Sequence, residues 1–430
     1  MRVLMFGWEF PPHITGGLGT ACFGLTKGLS RYKDVDVTFV VPKAYGDEDQ
    51  SSARIIGADG VHIKERTFTF SDFLRKMKMI EVESLLVPYL TPEEFEKSFE
   101  TLSEKEIGVS LQTRVRGRLR FTGTYGKNLF QEISNYALVA TVLAHEHHFD
   151  IIHAHDWLTF PAALAAKAVS GKPLVVHVHA TDFDRSGGSV NPSVYEIERK
   201  GMEAADKVIT VSNLTRETVI QKYGIPPEKV ITIYNAVDPL TEEERAREKK
   251  GIQEKIVTFL GRITLQKGPE YFIEAANKVL QRMDNVRFVM AGSGDMLHRM
   301  IRRAARLRIV DRFHFTGFLR GDDVQKMFSL SDVYVMPSVS EPFGISPLEA
   351  MQSSVPVIIS YQSGVSEVLK YAIKVNFWDV DAMADAIYGI LNYDALSDFF
   401  KKYGKEEVLQ MKWENSAGKL REVYKSYADN

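Results

Sequence analysis

Short apolar, β-branched runs alternate along this 430-residue chain with longer segments in which apolar residues return every three or four positions. Runs of the first kind occupy residues 35–41, 151–154, 174–178, 207–211 and 230–233, and each is followed by a turn signal and a helix-length stretch. A strand covered on both faces is apolar throughout rather than at every second position, so this rhythm predicts βαβ units around a parallel sheet. Residues 1–9 read as a first buried strand, closed off by Pro11-Pro12. The mixed-charge stretch 240–250 has almost nothing apolar and predicts a boundary near residue 238. The strand rhythm then restarts at 256–260, 286–290, 313–315, 333–336 and 357–359. The pattern predicts an α/β chain of two doubly wound domains, 1–238 and 239–408, and a closing segment, 409–430. That segment reads as an amphipathic helix with Trp413, Ala417, Leu420 and Tyr424 on one face. Residues 46–130 break the rhythm and read as an insertion. Its basic run, Arg114 to Arg120, fits an exposed edge strand better than an anion or acceptor site.

Composition narrows this picture. With 44% hydrophobic and 26% charged residues the chain can bury large cores, and it is too long for one. A formal charge of −2 excludes a sequence-wide grip on nucleic acid or anionic lipid, so phosphate binding has to be local. The lone Cys22 allows no intramolecular disulfide and no Cys-rich zinc site. No run of about 18 apolar residues occurs, and the first strand is too short for a signal peptide. The expectation is a cytoplasmic protein without membrane or nucleic-acid partners; homo-oligomerisation stays open.

Several stretches can carry chemistry. Gly16-Gly17-Leu18-Gly19 follows the first strand and opens a helix, where backbone N–H groups can face negative charge; a simple tight turn is the alternative. Arg262 and Lys267 lie five residues apart just beyond the first strand of the second domain. There an arginine fork and a lysine point charge can clamp a diphosphate in place of a metal ion, although pairing with surface carboxylates is the blander reading. Glu341 lies in a loop above a strand end and has no local structural reason to be there. Glu349 does have one, since Ser346 and Glu349 have the spacing of a capping box with Pro347 at the first helical position. A glycosidase pair is disfavoured, because two carboxyls beside one sheet do not flank a bond. In His153-Ala154-His155-Asp156-Trp157, alternation assigns His153 to burial and leaves His155 as the candidate. His177 and His179 repeat the pattern on the next strand, and a zinc site from these four is conceivable but lacks a local ligand motif. His145-Glu146-His147-His148 reads as a solvated helix end, and the arginines of 302–308 as a helix face. The pairs Asp34/Asp36, Asp47/Asp49 and Asp182/Asp184 have D-x-D spacing but read as turn or surface carboxylates.

Together these stretches resemble the GT-B glycosyltransferases, and within them the glycogen and starch synthases of bacterial, plant and archaeal type. The resemblance rests on the E-x7-E of Glu341 and Glu349, the R-x4-K of Arg262 and Lys267, the H-A-H-D-W ending at Trp157, the glycine loop and the Trp-containing last helix. It spans nearly the whole chain. It implies two Rossmann-like domains that face and close across a cleft, with the last helix crossing back to the first domain. The implied reaction is retaining, metal-independent transfer of glucose from ADP-glucose or UDP-glucose to the 4-hydroxyl of an α-1,4-glucan such as glycogen, with no cofactor. In it Arg262 and Lys267 hold the diphosphate, Glu349 the ribose and Glu341 the glucose, with Phe343, Gly344 and Ile345 between the two glutamates. Gly16 and Gly17 meet phosphate or sugar through the backbone, His155 lies beside the sugar ring, and Gly292, Ser293 and Thr316 lie near the base. Ile14 stands where such synthases carry a lysine, which leaves the donor open. Rival readings are a small-acceptor transferase of the sucrose or trehalose type, a nucleotide-sugar epimerase and a non-catalytic glucan-binding protein.

Overall fold

A computed structural model describes residues 1–14, 16–69, 112–126, 128–241 and 253–428. The chain divides into two units, one of residues 1–211, 215–234 and 413 onward, the other of residues 212–214 and 235–412.

The first unit holds β1 (Arg2–Phe6), β2 (Asp36–Val41), β3 (Arg54–Gly57), β4 (Ile63–Thr69), β5 (Gln112–Gly117), β6 (Ile151–His155), β7 (Leu174–Val178), β8 (Lys207–Thr210) and β9 (Val230–Thr232). Seven of these form one sheet in the order β3-β2-β1-β6-β7-β8-β9, every neighbouring pair parallel. Its crossovers are α1 (Gly17–Leu29), α2 (Leu129–Glu146), α3 (Phe160–Ser170), α4 (Asp182–Ser186), α5 (Pro192–Ala204) and α6 (Asn213–Tyr223). Strands β6 and β7 are buried at every position, as both-face coverage requires. Tyr136 of α2 enters the core with its hydroxyl satisfied by the carbonyls of Gly7 and Val40, at 3.1 and 2.7 Å. The stretch expected to be an insertion starts inside this sheet, because Arg54–Gly57 pairs with β2 as an edge strand. Only Ile55 and Ile56 mark it as apolar, too short a run to stand out. Farther along, β4 and β5 form a separate antiparallel pair that takes up much of the basic run, while residues 70–111 lie outside the described residues. So does most of the charged boundary stretch, residues 242–252.

The second unit holds β10 (Lys255–Leu260), β11 (Val286–Ala291), β12 (Phe313–Gly317), β13 (Val333–Met336), β14 (Val357–Ser360) and β15 (Ile373–Val375). They form a six-stranded sheet in the order β12-β11-β10-β13-β14-β15, again all parallel. Its helices are α7 (Pro269–Leu280), α8 (Leu297–Arg306), α9 (Asp322–Leu330), α10 (Ser346–Gln352), α11 (Val380–Asn392) and α12 (Asp394–Val408). Because all six strands point the same way, the loops after β10, β11, β13 and β14 gather at one edge, the place where open α/β sheets bind ligands.

The last helix, α13 (Trp413–Ala428), packs on α1 of the first unit. Two glycines four residues apart on α1 make room for it. A Cβ on Gly24 would sit 2.1 Å from the Trp413 ring, and one on Gly28 would sit 2.6 Å from the Trp413 carbonyl oxygen. Trp413, Ala417, Leu420 and Tyr424 are buried in this seam, and burying each of the three large side chains stabilises by roughly 1.5–3 kcal/mol. At the rim Arg421 makes a two-pronged ion pair with Asp34, at 2.6 and 2.9 Å. Among the described residues no helix is long and apolar enough to cross a membrane.

Candidate active site

In the second unit, β10 runs into a loop, a single turn of 3-10 helix at Leu265–Lys267, and then α7. Gly268 joins turn to helix with φ +65°, and its missing side chain matters: a Cβ there would lie 2.1 Å from the Pro337 carbonyl oxygen. The turn therefore lies flush against the loop after β13, and Val339 N–H donates to the Gln266 carbonyl at 2.9 Å. This contact brings Lys267 Nζ into an ion pair with Glu341 Oε2, which also accepts from Ser338 Oγ at 3.3 Å. The backbone of Glu341 is tied on both sides, its N–H to the Gln362 carbonyl at 2.9 Å and its own carbonyl to Gly364 N–H at 2.8 Å. Only 9% of the Glu341 side chain and 22% of that of Lys267 meet solvent, so the pair is fixed in a partly dehydrated setting where charge interactions are strong. Arg262 stands exposed two residues past the end of β10.

The neighbouring loop is equally constrained. Gly292 adopts φ +142°, and a Cβ would lie 1.9 Å from the Gly261 carbonyl oxygen. Its N–H donates to the Gly317 carbonyl at 2.8 Å, Ile263 N–H donates to the Ser293 carbonyl at 2.9 Å, and Thr316 Oγ donates to the Gly317 carbonyl at 2.8 Å. Gly292, Ser293 and Thr316 thus share the carboxyl edge that holds Arg262 and Lys267.

The expected capping box does not form. Helix α10 starts at Ser346 itself, which puts Pro347 at the second helical position, and the Ser346 hydroxyl bonds the Tyr334 hydroxyl at 2.8 Å rather than a backbone N–H of the first turn. A long-range partner has taken the local one, so Glu349 is not held by a cap. Its carboxyl makes no side-chain hydrogen bond among the described residues, and burial pushes it up to about 7. Between the two glutamates, Phe343 turns its ring into the core, Gly344 passes against Met336 and Ile345 precedes the helix.

In the first unit, Gly16 is extended and α1 begins at Gly17; a Cβ on either would meet nothing within 4 Å. Beside this open helix start lies Glu9, a buried carboxylate that accepts from the Tyr125 hydroxyl, and a Cβ on Gly19 would come within 3.2 Å of it. Sequence reading passed over Glu9 as part of a first strand. The available signal was one charge directly after an apolar run.

The histidines correct the sequence reading. Alternation cannot separate His153 from His155, because residues two apart share a face, and both are wholly buried. With His177 and His179 they form a stack whose ring centroids are 4.3–5.5 Å apart. His155 Nδ1 meets His179 Nε2 at 2.9 Å, and His153 Nδ1 pairs with the Tyr424 hydroxyl of α13. Burial, reinforced for His153, His155 and His177 by the neighbouring rings, holds all four well below the usual imidazole range, His179 at about 3. His153, His155 and His177 gather their nitrogens, as do Cys22, His155 and His179. Each set offers three ligand atoms within 4.8 Å of one another, the number a zinc site with one open position uses. The enclosed ring of His155 shows no atom to solvent.

The following residues cap turns. Asp156, at φ +59°, accepts from His179 N–H at 2.6 Å, and burial pushes its carboxyl up to about 6. Asp182 and Asp184 are buried rather than on the surface: Asp184 accepts from Thr181 N–H at 2.8 Å and Asp182 from Asn191 N–H at 2.6 Å, beside an Arg185–Glu198 ion pair.

Comparison with known proteins bears on this geometry. The family described as Glycosyltransferase Family 4 matches residues 93–239, and that described as Glycosyl transferases group 1 matches residues 241–407. An uncharacterized glycosyltransferase of Methanocaldococcus jannaschii is 30% identical over 99% of this chain and 98% of its own. The chain belongs to the GT-B group 1 glycosyltransferases. This glycosyltransferase is also similar, at 23% identity over 99% of its length and 94% of the other, to glycogen synthase of Mycobacterium tuberculosis. Among solved structures, sucrose-phosphate synthase from Thermosynechococcus elongatus aligns with a TM-score of 0.73 at 18% identity, covering 99% of this chain and 98% of that one. Anabaena HepE, solved with UDP-glucose, aligns with a TM-score of 0.66 at 17% identity, covering 99% and 100%. Both share the fold.

Proposed function

We propose that this glycosyltransferase is a glycogen synthase, moving glucose with retention from UDP-glucose or ADP-glucose to the 4-hydroxyl at the non-reducing end of an α-1,4-glucan. The observation that carries the reading is the Lys267–Glu341 pair, fixed by the close approach at Gly268 on the edge that also holds Arg262 and Glu349. Arg262 and Lys267 supply the positive charge that a departing nucleoside diphosphate needs, without calling on a metal ion. Glu341 accepts hydrogen bonds from the glucose hydroxyls and Glu349 from the ribose. The bond from glucose C1 to the β-phosphate oxygen breaks, the acceptor O4 bonds C1 from the same face, and its proton passes to the leaving phosphate. Glu341 forms no covalent intermediate. Full-length similarity to a glycogen synthase supports the acceptor assignment, and UDP-glucose in the Anabaena neighbour supports a nucleotide-glucose donor. The fold match to sucrose-phosphate synthase favours one alternative, a small acceptor.

The test is incorporation of labelled glucose into glycogen from UDP-glucose and from ADP-glucose, with EDTA present and Glu341→Ala as control. Incorporation that persists in EDTA and fails in the variant is expected, and the better donor is named by the same assay. Transfer to sugar phosphates or free sugars with none to glycogen would replace the glucan reading by the small-acceptor one.

A further inference from the structure

Behind Glu341 lie the buried hydroxyls of Ser338, Ser360 and Ser363, at places where an apolar side chain would avoid the cost of taking a polar group out of water. Their bonds run in one direction. Ser363 Oγ donates to the Ser360 carbonyl at 2.7 Å, Ser360 Oγ donates to the Ser338 carbonyl at 2.7 Å, and Ser338 Oγ donates to Glu341 Oε2 at 3.3 Å. The first two end on the backbone and fix the loop after β13 against the end of β14. The third reaches the carboxylate of the candidate site.

Both partners of that carboxylate, Lys267 Nζ and Ser338 Oγ, go to Oε2, and Oε1 has no hydrogen-bond partner among the described residues. The two partners are not equivalent. Lys267 carries its charge on a flexible four-carbon stem, so its ammonium can follow a stronger anion. Ser338 is short, wholly enclosed and anchored through its own carbonyl, so its hydroxyl stays.

We propose that Ser338 is a positioning residue for the transfer: it holds Glu341 Oε2 while Lys267 turns to the diphosphate, and so keeps Oε1 presented to a glucose hydroxyl. The inference rests on the roles proposed above for Lys267 and Glu341. Without Ser338 the carboxylate would lose its second partner as the first turned away, and the glucose would meet it correctly oriented only part of the time. At 3.3 Å the bond is long, and catalytic contacts of that length shorten in the reacting complex.

Ser338→Ala tests this, because it removes one hydroxyl and leaves the backbone bonds in place. Steady-state transfer from the better donor should show kcat lowered by about tenfold. Affinity for the corresponding nucleoside diphosphate, measured by titration calorimetry, and the melting temperature should not change. Ser360→Ala, which loosens the loop without touching Glu341, should lower the melting temperature more and kcat less. An unchanged kcat in Ser338→Ala would show that Lys267 keeps its hold on Glu341, and would overturn the proposal. So would a loss of diphosphate affinity as large as the loss of rate, or an equal loss of kcat in Ser360→Ala, since either would assign the serines to the loop rather than to the carboxylate. Glu341→Ala, run alongside, keeps this inference apart from the one beneath it. If that variant is inactive and Ser338→Ala fully active, only the positioning role falls; if it transfers glucose as the unaltered chain does, the role of Glu341 falls and takes that of Ser338 with it.

Discussion

The two units use one architecture to treat ionisable residues in opposite ways. The first collects four histidines on one sheet face, neutral, stacked and sealed under α1 and α13. The second collects a lysine and two glutamates at its strand ends, with one ion pair and one raised carboxyl kept near the surface. Desolvation acts on both sets, but only the second has opposite charge within reach, so only there can charge survive and be offered to a ligand. Polar residues at equivalent-looking sequence positions can thus be core in one sheet and chemistry in the other.

Breaking the second arrangement should have the larger effect. Lys267→Ala is expected to lower kcat for glucosyl transfer by about 10²–10³-fold, as loss of a preorganised charge does elsewhere. A steady-state assay showing a change in KM alone would make Lys267 a binding residue only. The first arrangement should break with acid. Each histidine is held below its unfolded value of 6.5, so the stability it confers is complete above that value and is lost as pH falls, by about 1.4 kcal/mol per pH unit. Glu198, Glu349 and Asp156, raised to about 7, about 7 and about 6, act in the opposite sense over part of that range. A net loss of ~2 kcal/mol per pH unit near pH 5 is expected. Thermal melts between pH 7 and 5 measure it, and His177→Leu should flatten the dependence by about one proton; an unchanged slope would show the stack already charged. The smallest effect concerns Glu349. Its carboxylate form, the one that the proposed reaction needs as an acceptor for ribose hydroxyls, dominates above about 7. Donor kcat/KM should therefore rise with pH below that value and level off above it, whereas Glu349→Gln should be flat.

The sheets were legible because their strands are apolar without interruption. Strands such as β3 and β15, with two or three telling residues and Lys374 among them, were not. Lys267 and Glu341 could be assigned to loops by position, but their pairing depends on Gly268 meeting Pro337, residues some seventy positions apart. The Ser346–Glu349 capping box is the converse, a local rule overruled by the distant Tyr334. The histidine stack was readable in part: residues two apart share a face, and the same spacing on two strands foretells four side chains together. Gly24 and Gly28 also carried a readable spacing, although nothing local tells that Trp413 fills their groove.

The seam between α1 and α13 has a consequence for biosynthesis. Translation proceeds from one end, so the groove of Gly24 and Gly28 and the ring of His153 leave the ribosome nearly 400 residues and some 270 residues ahead of their partners Trp413 and Tyr424. The second unit is complete by then, while the first still shows water an open seam. The earliest-made part of the molecule is the last to be finished, and a stop codon just before Trp413 would damage the beginning of the protein rather than its end.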